Sequence, residues 1–304
     1  MLAIVILNYA KAMKGVKLLG IYYGAFEVLG TIFDAKNIDP EKRYVPILDL
    51  TPLDQLMEWS FAADRFITSG DAGQLSSLAE RSARAILSGT KGRDRKQNNI
   101  RYLAKSLREF TNNLSSCRGR KISDSVKRLK QHLESCINTE FNNPLNQPLI
   151  PVFERIKKQM DQFPEDTILD GIQAAKWCAQ HNLVQQGYTI LLETLINLFL
   201  FKATGEREVL DRDRRSLVAV SLKVHEKNLP YEAWEPPALD NRNLVERLLR
   251  YYDAKPSLPK LFRNITDLRN DINHGGMREN EKPFKTLENK LHDFIEEAER
   301  EMNI

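Results

Sequence analysis

The sequence predicts a mainly α protein: a C-terminal helical bundle, a basic helical connector ahead of it, and a partial α/β fragment at the N-terminus. Three observations carry this. Residues 151–304 repeat apolar side chains at helical intervals almost without a break. The segment 88–150 joins one such stripe to dense positive charge, and only residues 1–87 hold the β-branched and aromatic runs typical of strands. The expected domains are therefore 1–87, 88–150 and 151–304. With 304 residues, 42% of them hydrophobic, the chain is long enough for more than one core.

In chain order, Leu2 to Met13 reads as a buried helix. Val16 to Phe26 reads as a core strand whose glycines, Gly20 and Gly24, mark close approach of another backbone. Tyr44 to Leu50 reads as a second strand. Thr51-Pro52 then caps and opens a helix that runs through Leu56, Trp59 and Phe66 to Gly70. Two strands are too few for a free-standing sheet. From Ser88 to His132 the positive excess is about ten charges, either a solvated face or one that attracts a phosphate backbone. Ile100, Leu103, Leu107, Phe110 and Leu114 give that segment one apolar helical stripe. A break is expected from Asn142-Asn143-Pro144 through Gln147-Pro148. Helices follow at 168–179, 184–201, 217–224, 239–252, 258–273 and 284–302, the pattern of an all-α bundle.

Net charge is +4, a mild excess compatible with a polyanionic partner without establishing one. Three widely spaced cysteines, Cys117, Cys136 and Cys178, with no Cys-x-x-Cys pair, point to a reducing cytosol and away from structural zinc. The apolar start has no basic region before it and fits a signal peptide poorly. The strongest apolar run, Ile190 to Phe201, is interrupted by Glu193, Thr194 and Asn197 and is too short to cross a membrane. A cytoplasmic protein without a membrane partner is expected.

Arg269-Asn270-Asp271-Ile272-Asn273-His274 closes an apolar helical pattern, Leu261, Ile265, Leu268 and Ile272, and Gly275-Gly276 follow at once. Arg forks onto phosphate oxygens and His moves protons near neutrality, so the pair suits phosphodiester cleavage. Five residues along a regular helix separate two side chains by about 140°, so helix geometry alone does not bring them together. Taken alone, the motif also reads as a surface Arg followed by a His that favours the helix dipole. Glu193, among apolar residues, is either a buried hydrogen-bond acceptor or a positioning group for Arg269. Arg212, Arg214 and Arg215, with Asp211 and Asp213, read as an exposed helix start, and His181, His225 and His292 as packing or surface residues. Trp59, Trp177 and Trp234 have no spacing that implies a base-stacking platform.

The run from Lys176 through Glu193, KWCAQHNLVQQGYTILLE, resembles the opening helices of a HEPN domain, and Leu268 to Gly275 resembles its closing motif. More narrowly, the chain looks like the CRISPR-associated CARF-HEPN family, the accessory ribonucleases of type III interference. Val16 to Glu27 and Ile47 to Leu53 are similar to the second half of the CARF sensor. The resemblance implies a HEPN bundle behind a Rossmann-like CARF fragment that begins within its domain, so most of a cyclic oligoadenylate pocket is expected to be missing. It further implies a metal-independent endoribonuclease that cleaves single-stranded RNA through a composite homodimeric site. Arg269 would hold the scissile phosphate, His274 would act as acid, base or phosphate donor, and Asn270 would orient them. No cofactor is implied, and cyclic oligoadenylate is the activator in relatives. A catalytically silent HEPN scaffold, or a subunit that completes its sheet with another chain, are the other readings.

Overall fold

The computed structural model describes residues 2–139 and 147–302, and the expected break at 142–148 lies largely outside them. The described part is mainly helical, with thirteen α-helices and two short strands. It forms two compact units, residues 1–61 with 140–152, and residues 62–139 with 153–304.

In the first unit, helix α1 (Leu2–Lys14) is followed by strand β1 (Tyr22–Gly24), a single-turn-and-a-half helix α2 (Ile32–Asn37), strand β2 (Ile47–Asp49) and the start of α3 (Thr51–Ser69). The strands are antiparallel, with Tyr22 opposite Asp49, Tyr23 opposite Leu48 and Gly24 opposite Ile47. They are much shorter than the runs of strand-forming residues that predict them. Val16 to Gly20 stays unpaired because the described residues offer it no partner strand. The expected burial is absent too. Ile6, Tyr9 and Met13 of α1 are exposed, Tyr22 is 70% and Ile47 75% exposed, and among residues 6–50 Ala25 alone is buried. Two three-residue strands form no second layer to cover these side chains. Local polar contacts fix the unit instead: Lys11 bridges Asp54 and Glu58 at 2.8 and 2.5 Å, and the Ile21 amide donates to the Thr51 hydroxyl at 2.9 Å.

The second unit opens with the end of α3 and continues through α4 (Gly73–Gly89), α5 (Arg95–Ser115) and α6 (Gly119–Ile137), joined by short loops and packed as successive neighbours. Asp94 caps α5 by accepting from the Gln97 amide at 3.0 Å. All five residues of the α5 stripe, Ile100, Leu103, Leu107, Phe110 and Leu114, are buried. After α7 (Ile150–Met160) come α8 (Thr167–Gln180), α9 (Val184–Thr204), α10 (Arg212–Glu226), α11 (Arg242–Ala254), α12 (Ser257–Asn273) and α13 (Phe284–Met302). Helix α9 buries twelve of its residues and touches α6, α8, α10, α11, α12 and α13, which makes it the centre of the bundle.

The basic helices share a core with the bundle. Phe66 of α3, Phe110 of α5 and Phe163 surround the fully buried Trp177 of α8, with ring centroids 5.6, 5.6 and 6.4 Å from it. His181 packs edge-on against Trp177 at 4.4 Å and bonds the Thr68 carbonyl at 3.2 Å through Nδ1. His225 packs on Tyr252 and His292 is exposed, so these three histidines hold the packing and surface places expected of them. Trp234 is buried beside Leu217 and Val245, its indole donating to the Leu229 carbonyl at 3.1 Å, and Trp59 is buried as well.

Candidate functional site

Helix α12 carries the candidate site. Leu258, Leu261, Phe262 and Ile265 bury its first half against the bundle. Leu268 and Ile272, expected on the same buried face, are only half-buried, because the last two turns emerge from the packing. His274 is the C-cap, at φ −87° and ψ 8°, and Gly275 and Gly276 follow at φ 63° and 72°. Two left-handed residues in succession need glycine, and they close the helix: the Gly275 amide donates to Ile272 at 3.0 Å and the Gly276 amide to Asp271 at 3.2 Å.

The three predicted site residues lie within this end in different surroundings. The His274 imidazole is exposed and makes no hydrogen bond among the described residues. Arg269 is half-buried, and among the described residues its Nε, shut off from solvent, has no hydrogen-bond partner and no carboxylate pairs with it. Asn270 is half-buried, and its side-chain amide bonds neither neighbour. His274 is the C-cap, five positions after Arg269, a separation that along a regular helix amounts to about 140° round the axis.

The surroundings of Arg269 come from elsewhere in the unit. Its charge reaches the thiol of Cys117 in the α5–α6 turn, which also hydrogen-bonds Thr189 of α9. Burial nevertheless pushes the Cys117 thiol up. Burial alone pushes Cys136 up to about 12, burial and then the nearby Cys117 raise Cys178, and all three cysteines are free thiols.

Asp271 is the residue that sequence reasoning left without a role. It is 5% exposed, and its Oδ2 accepts from the Lys282 amide at 3.0 Å, which ties the segment after the glycines back to the helix end. Its place three residues after Leu268, on the flank of the apolar stripe, was the available signal. Gln185 of α9 donates to Asn273 at 3.2 Å and fixes the same end from the other side.

Glu193 does not position Arg269. It lies on a half-exposed side of α9 and accepts from Arg215 at 2.5 Å, while Arg215 also donates to Asn197 at 2.5 Å and the Val209 carbonyl at 3.0 Å. A charge partner on the next helix was within reach, and Arg269 sits on another. Asp211 caps α10 by accepting from the Arg214 amide at 2.7 Å, the exposed helix start expected there. Among the described residues, no group of three or more His, Cys, Asp or Glu is placed to hold a metal ion, and no helix is long and apolar enough to cross a membrane.

The chain shows likeness to a CRISPR-associated protein, and the family match falls on its helical part. Residues 55–167 match the model of the second domain of CRISPR-associated protein MJ1674. The chain is 23% identical over 192 residues to CRISPR-associated protein MJ1674 of Methanocaldococcus jannaschii, an alignment covering 63% of this chain and 25% of that protein. The chain thus spans about a quarter of the length of the curated relative it matches. The family-model match ends before α8 is complete and does not include Arg269 to His274.

Proposed function

We propose that this chain serves CRISPR-associated defence as a metal-independent HEPN endoribonuclease, with a composite site formed where the α12 ends of two chains meet. The observation that carries the reading is the state of α12's end: among the described residues Arg269 has no charge partner and the exposed His274 imidazole no hydrogen bond, while Asp271, Gln185 and the two glycines hold the helix end. A two-fold pairing would set the Arg of one chain beside the His of the other.

In such a site the substrate's 2′-hydroxyl attacks the adjacent phosphorus and the 5′-oxygen leaves. The products are a 2′,3′-cyclic phosphate and a new 5′-hydroxyl. Arg269 stabilises the phosphorane's charge, His274 takes the 2′-proton or supplies one to the leaving oxygen, and Asn270 orients the scissile group. Activation by cyclic oligoadenylate belongs to the relatives in this reading, since most of that pocket is expected to be missing here.

The test is end-group analysis of single-stranded RNA incubated with the protein in excess EDTA, beside a strand with one 2′-deoxy linkage. Cyclic phosphate ends at every cleaved linkage, with the deoxy linkage intact, support the reading. Cleavage of the deoxy linkage, or none at all from a folded dimer, sinks it and leaves a silent scaffold.

A further inference from the structure

A cleft of about 500 Å³ opens in the second unit between the start of α6, the α8–α9 pair and the segment leading into α10. Four cations line it, Arg118, Arg120, Lys121 and Arg215, against two carboxylates, Glu193 and Glu208. Both carboxylates are already engaged, Glu193 with Arg215 and Glu208 with Arg120 at 2.7 Å. Arg118 and Lys121 are exposed and have no ion-pair partner among the described residues. Between them α6 opens at Gly119 without a side-chain cap, so its first turn adds to the positive field.

Thr167, Thr189 and Thr194 line it together with the apolar Ile190, Val209 and Leu210, and no aromatic side chain is among the lining residues. A base would find no stacking surface here, whereas a backbone phosphate would find two unpaired cations and the half-buried hydroxyls of Thr167 and Thr189. The cleft also lies one helical turn along α9 from the candidate site, since Thr189 lines it and Gln185, four residues earlier, donates to Asn273 of α12 at 3.2 Å.

We infer that this cleft is a backbone-phosphate subsite for single-stranded RNA, in which Arg118 and Lys121 grip the strand whose neighbouring linkage is presented to Arg269. The inference rests on the proposed ribonuclease reading for its substrate. It makes the grip independent of sequence, and it makes Arg120 and Arg215 fixed wall residues rather than ligands.

The test is binding, which separates it from catalysis. The full chain and its Arg118→Ala/Lys121→Ala variant are titrated onto a labelled 2′-O-methyl single strand, which cannot be cleaved, by fluorescence anisotropy over a range of salt. Loss of two phosphate contacts should make the slope of log K against log salt shallower by about 1.4, and weaken binding roughly 20-fold near 0.1 M salt. The charge-keeping Arg118→Lys/Lys121→Arg variant should hold the wild-type slope, and both variants should melt as wild type does, because the side chains are exposed. The strand cannot be cleaved, so a failed cleavage assay leaves this inference standing. An unchanged slope in the alanine variant, or a wild-type chain that binds no strand, overturns it.

Discussion

Replacing Gly171 with alanine probes the crossing on which the bundle depends. A Cβ at Gly171 would lie 2.9 Å from Cγ2 and 3.1 Å from Cβ of Thr194, and would overlap its hydroxyl. Thr194 cannot swing away, because it is 5% exposed and its Oγ1 donates to the Ile190 carbonyl at 2.7 Å. Overpacking of this kind costs about 2–3 kcal/mol, and the better helix propensity of alanine offsets about 1 kcal/mol. The net loss of about 1–2 kcal/mol corresponds to a fall in Tm of roughly 3–6 °C for a unit of this size. Removing the obstruction should restore it: Gly171→Ala in a Thr194→Ala background should be neutral or stabilising, a coupling that a double-mutant cycle measures by calorimetry. A Gly171→Ala protein that melts at or above the wild-type temperature, or a cycle without coupling, would refute the close α8–α9 contact.

Phe110→Ala should cost about 3–5 kcal/mol, since the ring is fully buried against Phe66, Phe163 and Trp177, and loss of the near-ultraviolet circular dichroism of Trp177 should accompany it. Burial lowers the pKa of His181, against the opposing bond to Thr68, and burial lowers that of His132 too. A histidine depressed in the fold contributes stability above its unfolded value and loses it as pH falls toward the folded value, so Tm should drop from about pH 7 to about pH 5. His181→Gln should flatten that curve; an unchanged slope would contradict the assignment. Asp271→Ala should speed amide exchange at Lys282 about tenfold with little change in global Tm, because it removes one anchoring bond to a carboxylate.

The helices were legible where apolar spacing alone decides them. Ile100 to Leu114 in α5 and Leu261 to Ile265 in α12 are buried as their periodicity requires, and α8, α9, α11 and α13 lie where the sequence predicts helices. The N-terminal unit was less legible, because β-branched and aromatic residues mark a capacity for strand that only a partner strand realises. Val16 to Gly20 has none among the described residues, and pairing stops after three residues on each side. Long-range choices were invisible as well. Nothing in the spacing says that Glu193 pairs with Arg215 across 22 positions, or that Trp177 gathers rings from α3, α5 and the segment after α7. At the candidate site the residue types were legible from the motif, while the anchor Asp271 and the neighbouring Cys117 needed the fold.

The most direct measurement is cleavage of a dye-quencher single-stranded RNA in excess EDTA by the purified chain and by its His274→Ala variant, with and without cyclic oligoadenylates. The account predicts fluorescence release by the wild type that is insensitive to EDTA, and its loss by at least a hundredfold, about 2.7 kcal/mol of transition-state stabilisation, in the variant. A His274→Ala protein that cleaves as fast as the wild type, or a folded, dimeric wild type that leaves the strand intact under every condition, would contradict it.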